Sequence, residues 1–81
     1  MQIKVRLFAI LREWTRQTEF DFSLQEGASC LEALSDLKSK FEFPESVLGS
    51  CMAAVNGVYA HHSQILRTGD ELALLPPVSG G

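Results

Sequence analysis

One segment of the 81-residue sequence has the signals of a core-facing helix, and it lies between Ser29 and Phe41. Ser29 and Glu32 have the spacing of a capping box, in which the side chain of each residue pairs with a backbone N–H of the other. Pro44 prevents the helix from continuing, because a proline cannot donate a helical hydrogen bond. Apolar residues recur at helical spacing, at Cys30, Leu31, Ala33, Leu34, Leu37 and Phe41. A stripe of this width packs on a broad apolar surface, which the rest of the chain has to provide.

Segments on both sides of this helix alternate between apolar and polar residues, which is the pattern of strands with one buried face. The predicted strands are Gln2–Ala9, Glu19–Leu24, Met52–Val55, Val58–Ala60 and Glu71–Leu75. Asn56-Gly57 joins two of them and is a strong hairpin signal, since both residues tolerate positive φ. The connection 10–16 predicts a turn or a short helical piece, and 45–51 predicts a loop with at most one helical turn.

The order of these elements predicts one small α+β domain: strand, strand, helix, then three strands. One main helix packed across one face of a mixed sheet fits this order, with the first and last strands adjacent and parallel at the centre. That arrangement is the β-grasp, or ubiquitin-like, fold. We expect it to occupy residues 1–75, and residues 76–81 to form a flexible C-terminal tail that ends in Gly-Gly.

Charge and hydropathy argue against two kinds of partner. A net charge of −3 does not suit the basic patch that phosphate binding requires, so no nucleic-acid partner is expected. The apolar runs are far shorter than the ~20 residues of a membrane-spanning helix, so no membrane partner is expected. Residues 1–6 alternate and carry charges instead of the apolar core of a signal peptide, which predicts a cytoplasmic protein.

The two cysteines and two histidines do not form a recognisable metal or redox site. Cys30 and Cys51 match neither a disulfide framework nor a zinc-binding spacing. His61 and His62 are adjacent, and neighbouring side chains on a strand point to opposite faces. We therefore expect no metal ligand, no bound cofactor and two thiols that are either structural or bystanders.

The chemically unusual feature is the tail, since the body of the chain has no nucleophile elbow, phosphate-binding glycine loop or zinc motif. Pro76-Pro77 stiffen the exit from the last strand, and the chain then becomes flexible up to Gly80-Gly81. Glycine has no Cβ, so such a terminus can enter a narrow channel and deliver its carboxylate to another protein's active site. That carboxylate is a poor electrophile until it is activated, for example as an acyl-adenylate. The tail therefore predicts a carrier or a modifier.

Longer motifs resemble one family along essentially the whole chain. The segment from Asp70 to Gly81, DELALLPPVSGG, is similar to the C-terminal signature of the MoaD-type small subunits of molybdopterin synthase. Shorter matches are Leu7-Phe8-Ala9, Arg12-Glu13, Ala54-Val55-Asn56-Gly57 and Gly69-Asp70-Glu71. Trp14-Thr15 depart from the pattern, because the family often has a glycine soon after Arg12-Glu13, and this leaves the shape of the first connection open.

The resemblance implies a ubiquitin-like sulfur carrier that is not catalytic alone. An adenylyltransferase resembling ubiquitin-activating enzymes would use ATP and magnesium to adenylate Gly81, and a sulfurtransferase system would convert it to a thiocarboxylate. The large subunit of the synthase, in a heterotetramer, would use that sulfur to build the dithiolene of molybdopterin from cyclic pyranopterin monophosphate. The residues implied to bind partners are Phe8, Leu74, Leu75, Pro76, Pro77, Val78, Ser79 and Gly80.

Alternatives remain open at this point. A sulfur carrier of the same fold would serve thiamin or tRNA thiolation, whereas a protein-conjugating modifier would join the same glycine to a lysine. A plain interaction module would have a tail without any chemical role. Phe8 stands on the otherwise polar row of its strand, and the alternative to a partner contact is packing across strands.

Overall fold

The computed structural model describes residues 1–76, apart from the side chains of Val47 and Leu48. The strands are β1 (Gln2–Leu7), β2 (Glu19–Ser23), β3 (Met52–Val55), β4 (Val58–Ala60) and β5 (Glu71–Leu75). The helices are α1 (Ala9–Thr15), α2 (Cys30–Phe41) and α3 (Glu45–Leu48). The first connection thus contains the short helix α1, and the segment before β3 contains the single turn α3. Residues 77–81, which make up most of the predicted tail, lie outside the described residues.

The five strands form one mixed sheet in the order β2-β1-β5-β3-β4. β1 and β5 are parallel neighbours, with Val5 opposite Leu72 and Leu7 opposite Leu74. The other pairs, β1 with β2, β3 with β5 and β3 with β4, are antiparallel. The first and last strands therefore lie adjacent and parallel near the centre of the sheet, and the predicted β-grasp arrangement is confirmed.

The core lies between α2 and one face of the sheet. The sheet contributes Ile3, Val5, Leu7, Phe22, Ala53, Val55, Leu72 and Leu74, and α2 contributes Cys30, Ala33, Leu34 and Leu37. Two residues of the predicted apolar stripe are not fully buried as expected. Leu31 is exposed, and Phe41 is only partly buried. Since a helix turns about 100° per residue, Leu31 lies almost opposite the buried Ala33. The helix is thus rotated on the sheet towards Ala33, and Leu31 is left on the outer border of the stripe.

The predicted start of α2 is confirmed by its hydrogen bonds. The backbone N–H of Glu32 donates to Ser29 Oγ over 3.2 Å, and the N–H of Ser29 donates to Glu32 Oε1 over 3.3 Å. These two bonds form a capping box. After Phe41 the chain turns through Glu42, whose φ of 57° ends the helix before Pro44.

The turn between β3 and β4 has the conformation that its sequence predicts, with φ of 52° at Asn56 and 86° at Gly57. The Asn56 side chain also ties this turn to β5. Its Nδ2 donates to Asp70 Oδ1, and its Oδ1 accepts from the Glu71 N–H, each over 2.9 Å. Asp70 accepts a further bond of 2.8 Å from the Arg67 N–H. Asp70 therefore has a structural role in the turn that leads into β5.

Candidate functional site

β1 and β5 run side by side in the same direction, so the two ends of this pair differ. The end with Gln2 and Glu71 is called the starting end, and the end with Leu7 and Leu75 is called the finishing end. The sequence that follows β5, up to Gly81, begins at the finishing end. The candidate site is therefore the surface around this end.

The face of the sheet turned away from α2, here called the open face, is charged over β1 and β2. Lys4 Nζ lies 3.0 Å from Glu19 Oε1. Arg6 Nη1 donates to Glu71 Oε1 over 3.3 Å. Exposed pairs of this kind contribute little to stability because solvent screens them, so their main effect is to keep this half of the open face hydrated.

The other half of the open face is apolar, over β3, β4 and the finishing end of β5. The register places Met52 opposite Leu75, and it places Ala54 between Ala73 and Tyr59. Since residues opposite one another share a face, five side chains form what we call the apolar patch: Met52, Ala54, Tyr59, Ala73 and Leu75. Met52 and Tyr59 are exposed, and Leu75 is half-buried. Ala73 is also half-buried, and Ala54 is buried beneath its neighbours. Adjoining exposed apolar side chains of this kind are a feature of protein-contact sites.

Phe8 follows β1 directly and extends this surface at the finishing end. Its backbone is still extended, with φ −126° and ψ 157°, so its side chain alternates onto the open face with that of Arg6. The guanidinium carbon of Arg6 lies 5.5 Å from the ring centre, a cation–π distance. Leu7 pairs with Leu74, so Phe8 and Leu75 are the residues that directly follow this pair on the two neighbouring chain segments. The ring packs within the domain, and its half-burial leaves part of it for a partner.

The structure corrects the predicted docking role of Leu74. Its side chain is completely buried, because alternate residues of a strand face opposite sides and Leu74 faces α2 together with Leu72. A buried side chain belongs to the core and cannot line a docking surface. Leu75 and Pro76 are half-buried at the finishing end, so part of each residue is accessible and their docking role stays a prediction. The remaining predicted residues, Pro77, Val78, Ser79, Gly80 and Gly81, lie outside the described residues.

Met52, Ala54, Tyr59 and Ala73 belong to the apolar patch but were not predicted as site residues. The sequence pattern could have identified Ala73. The outward positions of β1 and β2 are mostly charged, whereas those of β5 are partly apolar, which indicates an exposed apolar surface there. The other three residues carried no such signal, since their place in the patch depends on how β3 pairs with β5 and β4.

The two thiols are poorly suited to carrying sulfur. Cys30 and Cys51 are buried, and neither forms a disulfide. Burial raises the pKa of both thiols, so both are protonated at neutral pH. Because the thiolate is the reactive form, burial makes these two thiols poor nucleophiles.

Within residues 1–76, no group of three or more His, Cys, Asp and Glu side chains is placed to hold a metal ion. None of the helices there combines the length and the apolar character needed to cross a membrane. The exposure of Met52 and Tyr59 and the half-burial of Phe8 and Leu75 make the surface around the finishing end the strongest candidate site.

Comparison with known sequences places the chain in a family. The sequence model of the ThiS family matches residues 5–81. The molybdopterin synthase sulfur carrier subunit of Arabidopsis thaliana is 37% identical over 81 residues, which cover 100% of this chain and 84% of that protein. The protein of the same name from Chlamydomonas reinhardtii is 37% identical over 83 residues and is matched over 100% of both chains.

Solved structures agree with this assignment. SAMP1 from Haloferax volcanii has a TM-score of 0.84 and 28% identity, with 100% of both chains covered. A chain in the complex of subunits 1 and 2 of molybdopterin-converting factor from Helicobacter pylori has a TM-score of 0.69 and 26% identity, also with 100% of both chains covered. The chain therefore belongs to the ThiS family and is related along its whole length to the molybdopterin synthase sulfur carrier subunits.

Proposed function

We propose that this protein is the sulfur carrier subunit of molybdopterin synthase and acts in molybdenum cofactor biosynthesis in the cytoplasm. The observation that carries the proposal is the 37% identity with sulfur carrier subunits along the whole chain. The apolar patch and Phe8 support it, because they offer a docking surface beside the point where the tail begins.

The reactive group in this proposal is the carboxylate of Gly81. An adenylyltransferase resembling ubiquitin-activating enzymes joins it to AMP from ATP, with magnesium, and releases pyrophosphate. A sulfur nucleophile then forms a C–S bond as the C–O bond to AMP breaks, which leaves a thiocarboxylate. The synthase transfers this sulfur to the pterin precursor, and water supplies the oxygen that restores the carboxylate. ATP and magnesium are bound by the activating enzyme and not by this chain.

The large subunit of the synthase is the proposed docking partner, in a heterotetramer of two small and two large subunits. The complex from Helicobacter pylori supports such a pairing. In this proposal the partner contacts Phe8, Leu75 and Pro76, while residues 77–80 enter its active site and present Gly81. The transfer pocket belongs to the partner, so this chain is a sulfur-donating subunit and is not catalytic alone.

Intact-protein mass spectrometry tests the proposal. The protein is incubated with the activating enzyme, ATP, magnesium and a sulfur source, and its mass is expected to rise by the difference between one sulfur and one oxygen atom. Fragmentation should place the change on Gly81. The matched control is the chain extended by one residue beyond Gly81, which should fold equally well and gain no sulfur. An unmodified wild type, or a thiocarboxylate on the extended chain, would refute the mechanism.

A protein-conjugating modifier is the second candidate, favoured by the likeness to small archaeal modifier protein 1 of Haloferax volcanii. In that case a lysine amine displaces AMP from the same acyl-adenylate and forms an isopeptide bond. Protein adducts in place of the thiocarboxylate would support this candidate. A carrier for thiamin or tRNA thiolation would form the same thiocarboxylate, and the identity of the acceptor that takes the sulfur separates it from the main proposal.

A further inference from the structure

α1 presents two large apolar side chains to solvent. Ile10 is 52% exposed and Trp14 is 53% exposed. They are four residues apart and so lie on the same side of the helix, whereas Leu11 faces the core. Neither the packing of the sheet nor the chemistry of Gly81 requires these two side chains to face water.

Internal contacts hold Trp14 in a fixed orientation. Its indole Nε1–H donates to the backbone oxygen of Phe41 over 2.9 Å. Its ring centre lies 6.4 Å from that of Phe43. Because the indole has a single polar atom and that atom is paired, the exposed part of the ring is apolar. An aromatic side chain that is already ordered loses little entropy when a partner covers it, which is typical of the residues that dominate interfaces.

α1 lies at the finishing end, close to the start of the tail. It begins at Ala9, two residues after Leu7, which pairs with Leu74. Its seven residues span about 10 Å. A standard interface covers roughly 800 Å² on each partner, which corresponds to a disc about 30 Å across. Trp14 packs at the C-terminal end of α2 and not on the open face, so the link is to the tail: a partner that takes up the tail at the finishing end has α1 within its reach.

We infer that Ile10 and Trp14 form a second contact for the large subunit of the synthase, which we call the α1 contact. This inference rests on the proposed function and adds a docking element to it. The occupant is an apolar surface of the large subunit beside the opening that admits the tail. Continuity supports this assignment, because Phe8 belongs to the surface around the apolar patch and is also the residue that precedes α1.

Ile65 provides a matched control for Ile10. It is 54% exposed and lies in the loop that leads to the starting end, where the Gly69 N–H donates to the Gln2 oxygen. Ile65 and Ile10 thus have the same side chain and nearly the same exposure but differ in their position relative to the tail.

The experiment measures the affinity of the purified large subunit from the same organism for the full chain, by titration calorimetry. We expect Ile10→Ser to raise Kd about tenfold and Trp14→Ser to raise it at least as much. Ile65→Ser should leave Kd within about twofold of wild type. Thermal unfolding of each variant checks the fold. Ile10→Gln with Ile65→Gln repeats the comparison with a better helix former, in case serine weakens α1.

The outcomes separate this inference from the proposed function. If wild type binds the large subunit and Ile10→Ser has the same Kd as Ile65→Ser, the α1 contact is wrong and the proposed function stands. If wild type does not bind the large subunit, both are wrong. Weaker binding of the activating enzyme alone, with the large subunit unaffected, also overturns the α1 contact.

Discussion

The two ends of the central β1–β5 pair are stabilised in opposite ways. At the starting end, Asn56, Asp70 and Glu71 satisfy one another through hydrogen bonds of 2.9 Å. At the finishing end, Met52 is exposed, and Phe8 and Leu75 are only half-buried. Hydrogen bonds within the domain complete the first end, whereas apolar surface at the second end stays in water until a partner covers it. One end therefore serves the fold, and the other is suited to binding.

The largest expected effect contrasts two adjacent residues of β5. Leu74→Ala should lower the free energy of unfolding by about 2–5 kcal/mol, because the buried side chain leaves a cavity. Leu75→Ala should cost less than about 1.5 kcal/mol, since Leu75 is half-buried on the open face. Urea denaturation measures both values. Equal losses would contradict the division of β5 into a core side and a docking side.

The next effect tests the starting end. Asn56→Ala should lower the free energy of unfolding by about 2–3 kcal/mol, because alanine disfavours the φ of 52° and makes neither side-chain hydrogen bond. Asn56→Gly, the control, adopts that φ readily and should cost less. Urea denaturation gives the stability, and titration calorimetry should show an unchanged affinity for the large subunit. A weaker affinity in either variant would mean that the starting end also binds.

A substitution in the apolar patch tests the finishing end in the same way. Leu75→Ser should raise the Kd of the large subunit about tenfold, which is about 1.4 kcal/mol. The control is Val58→Ser, because Val58 is exposed and apolar but follows the Asn56-Gly57 turn at the starting end. Calorimetry on both variants should show a change only for Leu75. A comparable loss with Val58→Ser would remove the distinction between the two ends.

The smallest expected effect concerns pH and the charged half of the open face. The hydrogen bond to Glu19, and then the charge of that carboxylate, raises the pKa of Lys4 above its ordinary value of 10.5. The stabilisation that the Lys4–Glu19 pair gives the folded protein is therefore complete below pH 10.5. It is lost as the pH rises through the pKa of Lys4 in the folded state. Glu19→Gln should lower the melting temperature slightly at neutral pH and not at strongly alkaline pH. A difference that persists after Lys4 has lost its proton would assign the effect to something other than this pair.

Elements with local signals could be predicted closely from the sequence. Ser29 and Glu32 mark the start of α2, and Asn56-Gly57 mark the hairpin, because a capping box and a tight turn involve residues only a few positions apart. The exposure of Leu31 could not be predicted in this way. It depends on how α2 is rotated on the sheet, and the packing of the whole core sets that rotation.

The candidate site likewise contains some residues that could be identified from the sequence and others that could not. The motif that includes Leu75 and Pro76 identified the finishing end, but it wrongly included Leu74, because a motif does not say which side of a strand a residue faces. Alternation along β5 would have corrected this, since Leu72 and Leu74 share one face. Met52 and Tyr59 could not be identified from the sequence, because each reaches the patch through pairing with a distant strand.

The sequence by itself determined the order of strands and helices, the start of α2 and the carboxyl group proposed to react, because each depends on neighbouring residues or on covalent position. Only the tertiary structure decided that Met52 meets Leu75 and that Trp14 is held against Phe41. These contacts join residues more than twenty positions apart. Their geometry is therefore fixed by strand register and by the burial of a shared core, which no short segment specifies alone.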